Sequence, residues 1–370
     1  MNRTFHPFLL ALAFTLICSS CSKDDGIGNN LDLPSTVTFT HLPMEFSEVD
    51  HFDPIGGIRS IPNDHGGLGL VNPYTLPASV PIYAMSDGVI TNIRKDLRII
   101  DNHAFVPAAV RGKDYDDFAL RISVSKTAHL IYGHISALSD QLLNQAGTIR
   151  VSGENRVNIE VKSGDVLGFV GPHPAFDVGM YDEDNDNYFV NPARYNEEYL
   201  DAVSYTDYLT PALRQQLWTV NERTLAPRGG TVSHDVAGTL AGNWFAPGAG
   251  PYDWSKILII ARHHIYADKV TIADTSPFED GNGSLNIGID AVTYWIKGNT
   301  LVPEEVTPAT GMVKLPAGPW WILHANPDAQ AQGTLGIEMT SESTLRFEWF
   351  EHQAPDQVTV FTSAARDFER

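Results

Sequence analysis

From about residue 38 to 182 the apolar positions fall in short, β-branched runs separated by Gly, Pro and Asp: 80–84, 88–93, 118–124, 129–132 and 166–170. Runs of this length bounded by turn formers predict strands. The pattern changes over 183–229, where Asn, Tyr and Glu accumulate around one helical stretch, 211–220. Thr210 is placed to cap that stretch and Pro211 to occupy its first turn. A second series of strand-like runs follows at 256–261, 285–296, 320–324, 334–339, 344–351 and 357–362, with no internal repeat. The expectation is an all-β chain with a β-sheet domain over 38–182, a connector over 183–229, and an antiparallel β-barrel or sandwich over 230–370.

The amino terminus follows another rule. An apolar run over 8–17, broken only by Thr15, follows the single basic residue Arg3. It is too short to span a bilayer as a mature helix and fits the charged and apolar regions of a secretory signal. Ser19 and Ser20 precede Cys21, which resembles the lipobox of bacterial lipoproteins, although Cys18 stands where that box usually has Leu. Ser22, Lys23, Asp24 and Asp25 resemble the tether that Bacteroidetes-type lipoproteins use for surface display. The resemblance implies a signal peptide over 1–20, a tether over 21–37, lipid attachment at Cys21 and an outer-membrane lipoprotein, displayed at the cell surface, whose membrane contact is its lipid. The chain has only two cysteines, Cys18 and Cys21. The folded part then has no disulfide and no cysteine metal ligand.

Composition is that of a globular chain, and 370 residues suffice for two ordinary domains. The formal net charge of −20 repels phosphate backbones, which argues against nucleic-acid binding.

Several pieces of the first unit, spread over about 60–180, resemble the lysostaphin-like, or LytM-like, zinc endopeptidases that cut peptide cross-links in peptidoglycan. His65-Gly66-Gly67-Leu68-Gly69-Leu70 followed by Asn72-Pro73 is similar to the family's H-x-G-I-D-I-x-x-P stretch. Residues 81–90 resemble its P-V-x-A-x-x-D-G-x-V strand and turn, and 130–136 the strand ending in a catalytic histidine. Residues 161–171 resemble its V-x-x-G-x-x-I-G-x-x-G hairpin.

A catalytic zinc needs three protein ligands and one open position for water. The resemblance implies a His, an Asp four residues later and the second His of an H-x-H pair. His65 matches the first. Gly69 and Ala175 stand in place of the other two and offer no donor atom. His134 and His173 match the histidines that act on the attacking water, so the acid/base residues persist while the metal set does not. The expected function is that of a pseudoenzyme with no cofactor, whose old groove binds a wall peptide, a glycan or an envelope partner protein. The enzyme alternative is a zinc endopeptidase acting on peptidoglycan with rearranged ligands. Asp177 shares a strand face with 173 and 175 but sits about 6–7 Å from the lost ligand position. His51, His103 and His129 have no motif behind them.

Asp182, Asp184 and Asp186 repeat at calcium-loop spacing, but Asn187 takes the turn-glycine position and Ala193 that of the closing Glu. A solvated acidic turn is the expectation. His234-Asp235 and His263-His264 cannot chelate one ion from a regular strand, whose adjacent residues face opposite ways. In the second unit the Gly-x-Trp of Gly242-Asn243-Trp244 loosely resembles the opening strand of lipocalin-like barrels. Trp295, Trp320, Trp321 and Trp349 are expected in the core or along a cavity.

Overall fold

A computed structural model describes residues 32–57, 63–102, 104–251, 253, 257–274, 292–296, 301–320 and 331–370. Cys21, the signal and most of the tether, His103 and Trp321 lie outside the described residues, as do 285–291 and 321–324 of the expected strands. So do the side chains of Trp295 and Trp320.

The chain is all-β, as its pattern predicts. The first unit contains β1 (Val49–Asp53), β2 (His65–Leu70), β3 (Val80–Tyr83), β4 (Gly88–Ile99), β5 (Asp114–Ser123), β6 (Ala128–Ile135), β7 (Ala137–Leu138), β8 (Gly153–Val161), β9 (Val166–Val170) and β10 (Ala175–Asp182). The large sheet runs in the order β1-β2-β10-β6-β5-β4-β8, with the short β11 (Ala202–Val203) beside β10. A small sheet, β3-β9-β7, covers one of its faces. Leu68, Leu70, Leu120, Leu130, Tyr132, Phe176, Val178 and Met180 fill the layer between them together with Ile82 and Val170. Because strand side chains alternate, this fixes which residues of β2 and β10 remain for the opposite face.

The second unit is an antiparallel barrel: β12 (Gly242–Phe245), β13 (Ile257–Arg262), β14 (Val270–Asp274), β15 (Val292–Ile296), β16 (Val313–Trp320), β17 (Gly333–Ser341), β18 (Thr344–Glu351) and β19 (Arg366–Glu369). Phe245 pairs with Glu369 to close the ring. Leu258 and Ile260 of β13 enter the barrel core, while Ile257, Ile259 and Ala261 face outward. That outer face packs on Ile55 and Tyr181 of the first unit and on Phe189, Tyr195 and Ala202 of the connector. Leu33–Arg370 form one contact unit.

Local departures from expectation have local causes. Residues 357–362 form no strand; they lie in the turn region before β19, which supplies the closing pairing instead. The connector helix ends at Trp218 rather than 220, and Thr210 occupies the cap position without a side-chain cap bond. Two short helices, Asp140–Ala146 and Glu197–Asp201, escape the hydrophobic pattern; each is capped by a side chain, Ser139 and Asn196 respectively.

Candidate functional site

The face of the large sheet away from its core carries the candidate groove. β2 pairs β1 on one side and β10 on the other, setting side-chain rows across the sheet. One row is His51-Gly69-Ala175, and the next is Asp53-Gly67-Asp177-Gly133. His65 lies opposite Gly179 one row further on. His134 follows Gly133 in β6 and has φ 62°, the left-handed region that a side chain rarely adopts. This break in the alternation lets His134 join the groove face.

Asp177 ties the two histidines together. Its Oδ2 lies 3.1 Å from Nε2 of His134 and 3.5 Å from Nε2 of His65. Behind His65, Nδ1 is 2.7 Å from Asp64 Oδ1, and Asp64 Oδ2 accepts a 3.1 Å hydrogen bond from the Tyr181 hydroxyl. Behind His134, Nδ1 is 3.4 Å from Asp117 Oδ1, and Arg98 pairs with the other oxygen of Asp117. Arg98, Asp117, His134, Asp177, His65 and Asp64 thus form a line of six groups of alternating charge. Burial opposes the charge on both histidines, but the nearby carboxylates of Asp177, of Asp64 beside His65 and of Asp117 beside His134 outweigh it. His65 is raised to about 10 and His134 to about 9. Burial likewise pushes the Asp177 carboxyl up, and the two imidazoliums more than reverse this, holding it well below the usual carboxylate range.

His173 lies just ahead of β10 rather than on it, since Pro174 has no N–H to enter the ladder. Its ring stacks on that of His134 with centroids 3.6 Å apart, and its Nδ1 donates to the Ala175 carbonyl at 2.8 Å. Burial and the neighbouring His134 charge lower it to about 4, leaving it neutral. All three motif histidines therefore meet in one groove.

The implied zinc does not fit these residues. A Cβ on Gly69 would stand 2.0 Å from Cε1 of His51, whose ring occupies the place of the missing carboxylate. Ala175 contributes a methyl group. Asp177 spends its bound oxygen on His65 and His134, and among the described residues no three His, Cys, Asp or Glu are grouped to hold a metal.

Other candidates lie elsewhere. His129 is stacked on Tyr181 and driven to about 3, chiefly by burial. Asp182 is already engaged, accepting from the Thr127 and Tyr208 hydroxyls at 2.8 and 2.6 Å and from the Asp184 N–H. His263 and His264 follow β13 in a bend and stack on each other; His264 Nε2 reaches Asp53 Oδ1 at 2.9 Å. His234 is half-buried in the same region and lowered to about 4 by desolvation and Arg223. Asp64, Asp117 and Arg98, absent from any motif, are what the sequence did not disclose. The signal for Asp117 is its place in β5, where it is buried among alternating apolar residues.

No family model and no curated protein matches the chain. A solved structure of Helicobacter pylori Csd3 is similar at 17% identity over 40% of this chain, with a TM-score of 0.23. The chain spans about a third of that protein's length, the matched share being 32%. An overlap this slight bears on neither fold nor chemistry.

Proposed function

We propose that the first unit is a non-catalytic, lysostaphin-like binding module in a surface lipoprotein, and that its groove takes a cell-wall peptide. The observation that carries this is the self-compensation of the groove. Its cationic and anionic side chains neutralise one another in line, so His65, His134 and Asp177 are stable together with no metal. A hydrolase built on His134 and His173 would also need a polarised water. The lost ligand positions are filled by the His51 ring and the Ala175 methyl instead. On this reading the groove carries its own set of polar groups, and function belongs to those groups rather than to the fold.

Protein purified without chelator should carry zinc far below one ion per chain, and it should release no peptide from peptidoglycan. Stoichiometric zinc lost on His65→Ala would instead favour the rearranged endopeptidase. Anchoring is tested separately: labelled palmitate should enter the wild type and not Cys21→Ser. Equal labelling of both would remove the lipoprotein assignment.

A further inference from the structure

We propose that Arg121 and Glu198 form a subsite for an α-amino acid head, an ammonium and a carboxylate on one carbon, carried by the groove's ligand. The proposal rests on the binding function above and names the chemistry at one end of that groove.

Arg121 lies on the groove face. Its neighbours Leu120 and Ile122 enter the core between the sheets, so strand alternation turns Arg121 the other way. In the ladder it pairs with Ile131, Ile131 with Gly179 and Gly179 with His65, one row across four strands. At about 4.8 Å per strand the Arg121 and His65 backbones are about 14 Å apart. The short helix Glu197–Asp201 packs against that row, with Tyr199 and Leu200 in the same cluster as Ile131 and Tyr181. Asn187 and Asn185 hold it there, their side-chain amides donating to the Tyr199 carbonyl at 3.1 Å and the Leu200 carbonyl at 3.4 Å. Glu198 is thereby fixed at the groove's end, close enough to feel the charges of Asp64 and His65 as well as those of Arg121 and Arg94.

These two side chains are set apart by what they lack. The Arg121 backbone carbonyl accepts from the Thr91 hydroxyl, but its guanidinium has neither hydrogen bond nor ion pair among the described residues. Every other buried or half-buried arginine described donates to a carbonyl or a carboxylate. The Glu198 carboxyl likewise meets no donor among the described residues, and Arg94 is engaged by Asp96 at 3.2 Å. Arg121 and Glu198 are both half-buried. Charges in that position lose hydration, and only a partner restores it. Scarcity of acids is not the reason, since 45 acidic residues accompany 25 basic ones. Burial and Asp64 push the Glu198 carboxyl above its ordinary range, against the pull of Arg121, Arg94 and His65. The pair is opposite in sign, close and unjoined.

An α-amino acid head supplies both partners. Its carboxylate fits the planar fork of Arg121 through two parallel hydrogen bonds. Its ammonium, on the adjoining carbon, brings three donors to Glu198 and favours the ionised carboxyl. A phosphate or a dicarboxylate would bring excess negative charge to Glu198 and to a chain of net charge −20, whereas a zwitterion brings none.

The probe is insoluble peptidoglycan of the diaminopimelate type, whose uncross-linked stem peptides carry this head on a side chain. Two comparisons each remove one half of it: the same material after N-acetylation keeps the carboxylate alone, and lysine-type peptidoglycan offers an amine alone. Wild-type protein should be retained on the first and about tenfold less on either of the others, the loss expected for one charge-assisted hydrogen bond or more. Arg121→Gln and Glu198→Gln should each lose retention to the same degree at an unaltered melting temperature, because neither side chain has a partner in the fold. The two substitutions move net charge in opposite directions, so a common loss is not a bulk charge effect. Equal retention on all three materials overturns the subsite while leaving wall binding in place. Tighter retention of Glu198→Gln does the same, since Glu198 would then compete with the ligand for Arg121. Complete release by an equal amount of free diaminopimelate would make the free amino acid the ligand and overturn the wall peptide as its source. Absence of retention on any material overturns wall binding and the subsite with it.

Discussion

His65 and His134 hold their protons to about 10 and 9 in the fold, against about 6.5 in an unfolded chain. Their contribution to stability is therefore complete below pH 6.5 and is lost as pH rises through 9–10. His129, His173, His234 and His263 shift the other way, to between about 3 and 4, because burial disfavours their charged form. The unfolded state binds the extra protons there, so stability falls as pH drops from 6.5 toward 4. Together these groups predict a stability maximum near pH 6.5, declining on both sides. Urea midpoints measured from pH 4 to 10 check this. His134→Gln should flatten the alkaline limb specifically, and an unchanged alkaline slope in that variant would remove the line of ion pairs as its cause. A second expectation concerns zinc. Gly69→Asp with Ala175→His would supply the donors that a lysostaphin-like resemblance implies, but the new Asp meets the His51 ring and Asp177 still holds His65. One zinc per chain is expected only when His51→Ala and Asp177→Ala are added, as read by metal analysis of the double and quadruple variants. The sequence singled out His65, His134 and His173, and the structure brings the three together on one face of the sheet. The Asp177 bridge was not legible there. Strand alternation put Asp177 on the correct face, but only the left-handed turn at His134 brings that ring to its carboxylate.

At the scale of elements, strand existence was easier to read than strand ends. Residues 88–93 announce β4, yet the strand continues to Ile99 because its outer half pairs with β5 through charged as well as apolar residues, including Lys95-Asp116 at 2.8 Å. Charge there interrupts the apolar alternation on which strand prediction depends. The barrel shows the converse case, a short motif that gains meaning from a distant residue. Trp244 is fully buried and donates from Nε1 to the Leu240 carbonyl at 3.0 Å. The guanidinium of Arg370 lies 3.8 Å above its ring and donates to the carbonyls of Val236, Thr239 and Ala241. One side chain thereby pins the segment before β12 to the strand that closes the ring. A half-buried cation over indole contributes about 0.5–2 kcal/mol, and hydrogen bonds from a charged donor about 1.5–3 kcal/mol each, though not additively. Arg370→Ala should therefore lower stability by about 2–4 kcal/mol on those magnitudes, read as a lower urea midpoint by tryptophan fluorescence. Arg346→Ala, which breaks an exposed pair with Asp367 in the same barrel, should leave the midpoint where it is. Similar losses in both variants would mean that Arg370 acts as an ordinary surface charge.

The whole molecule is joined through its connector. Tyr205, Leu209 and Leu217 enter the core between the sheets of the first unit, while Phe189, Tyr195 and Ala202 belong to the cluster that the barrel's outer face completes. Arg223 donates to the His264 carbonyl at 2.7 Å and to that of His263 at 3.3 Å. His264 in turn reaches Asp53 on the first sheet. The composition of 183–229 resembles a linker, because its polar and aromatic residues carry no single periodicity. In the fold those residues serve two surfaces at once. Cutting the chain there would expose Ile257, Ile259 and Phe245 on one side and Ile55 and Tyr181 on the other. A fully buried large apolar side chain is worth about 1.5–3 kcal/mol, so neither piece keeps the stability of the intact protein. We therefore expect residues 33–370 to unfold in one transition, with fluorescence and far-ultraviolet dichroism coincident, and the native connector to resist limited proteolysis. Ile259→Asp places a charge in the shared cluster and should lower the hydrogen-exchange protection of β2 and β10 as well as that of β13. Protection lost in the barrel alone, or a native-state nick within 183–229 followed by two separate transitions, would establish two independently folding units.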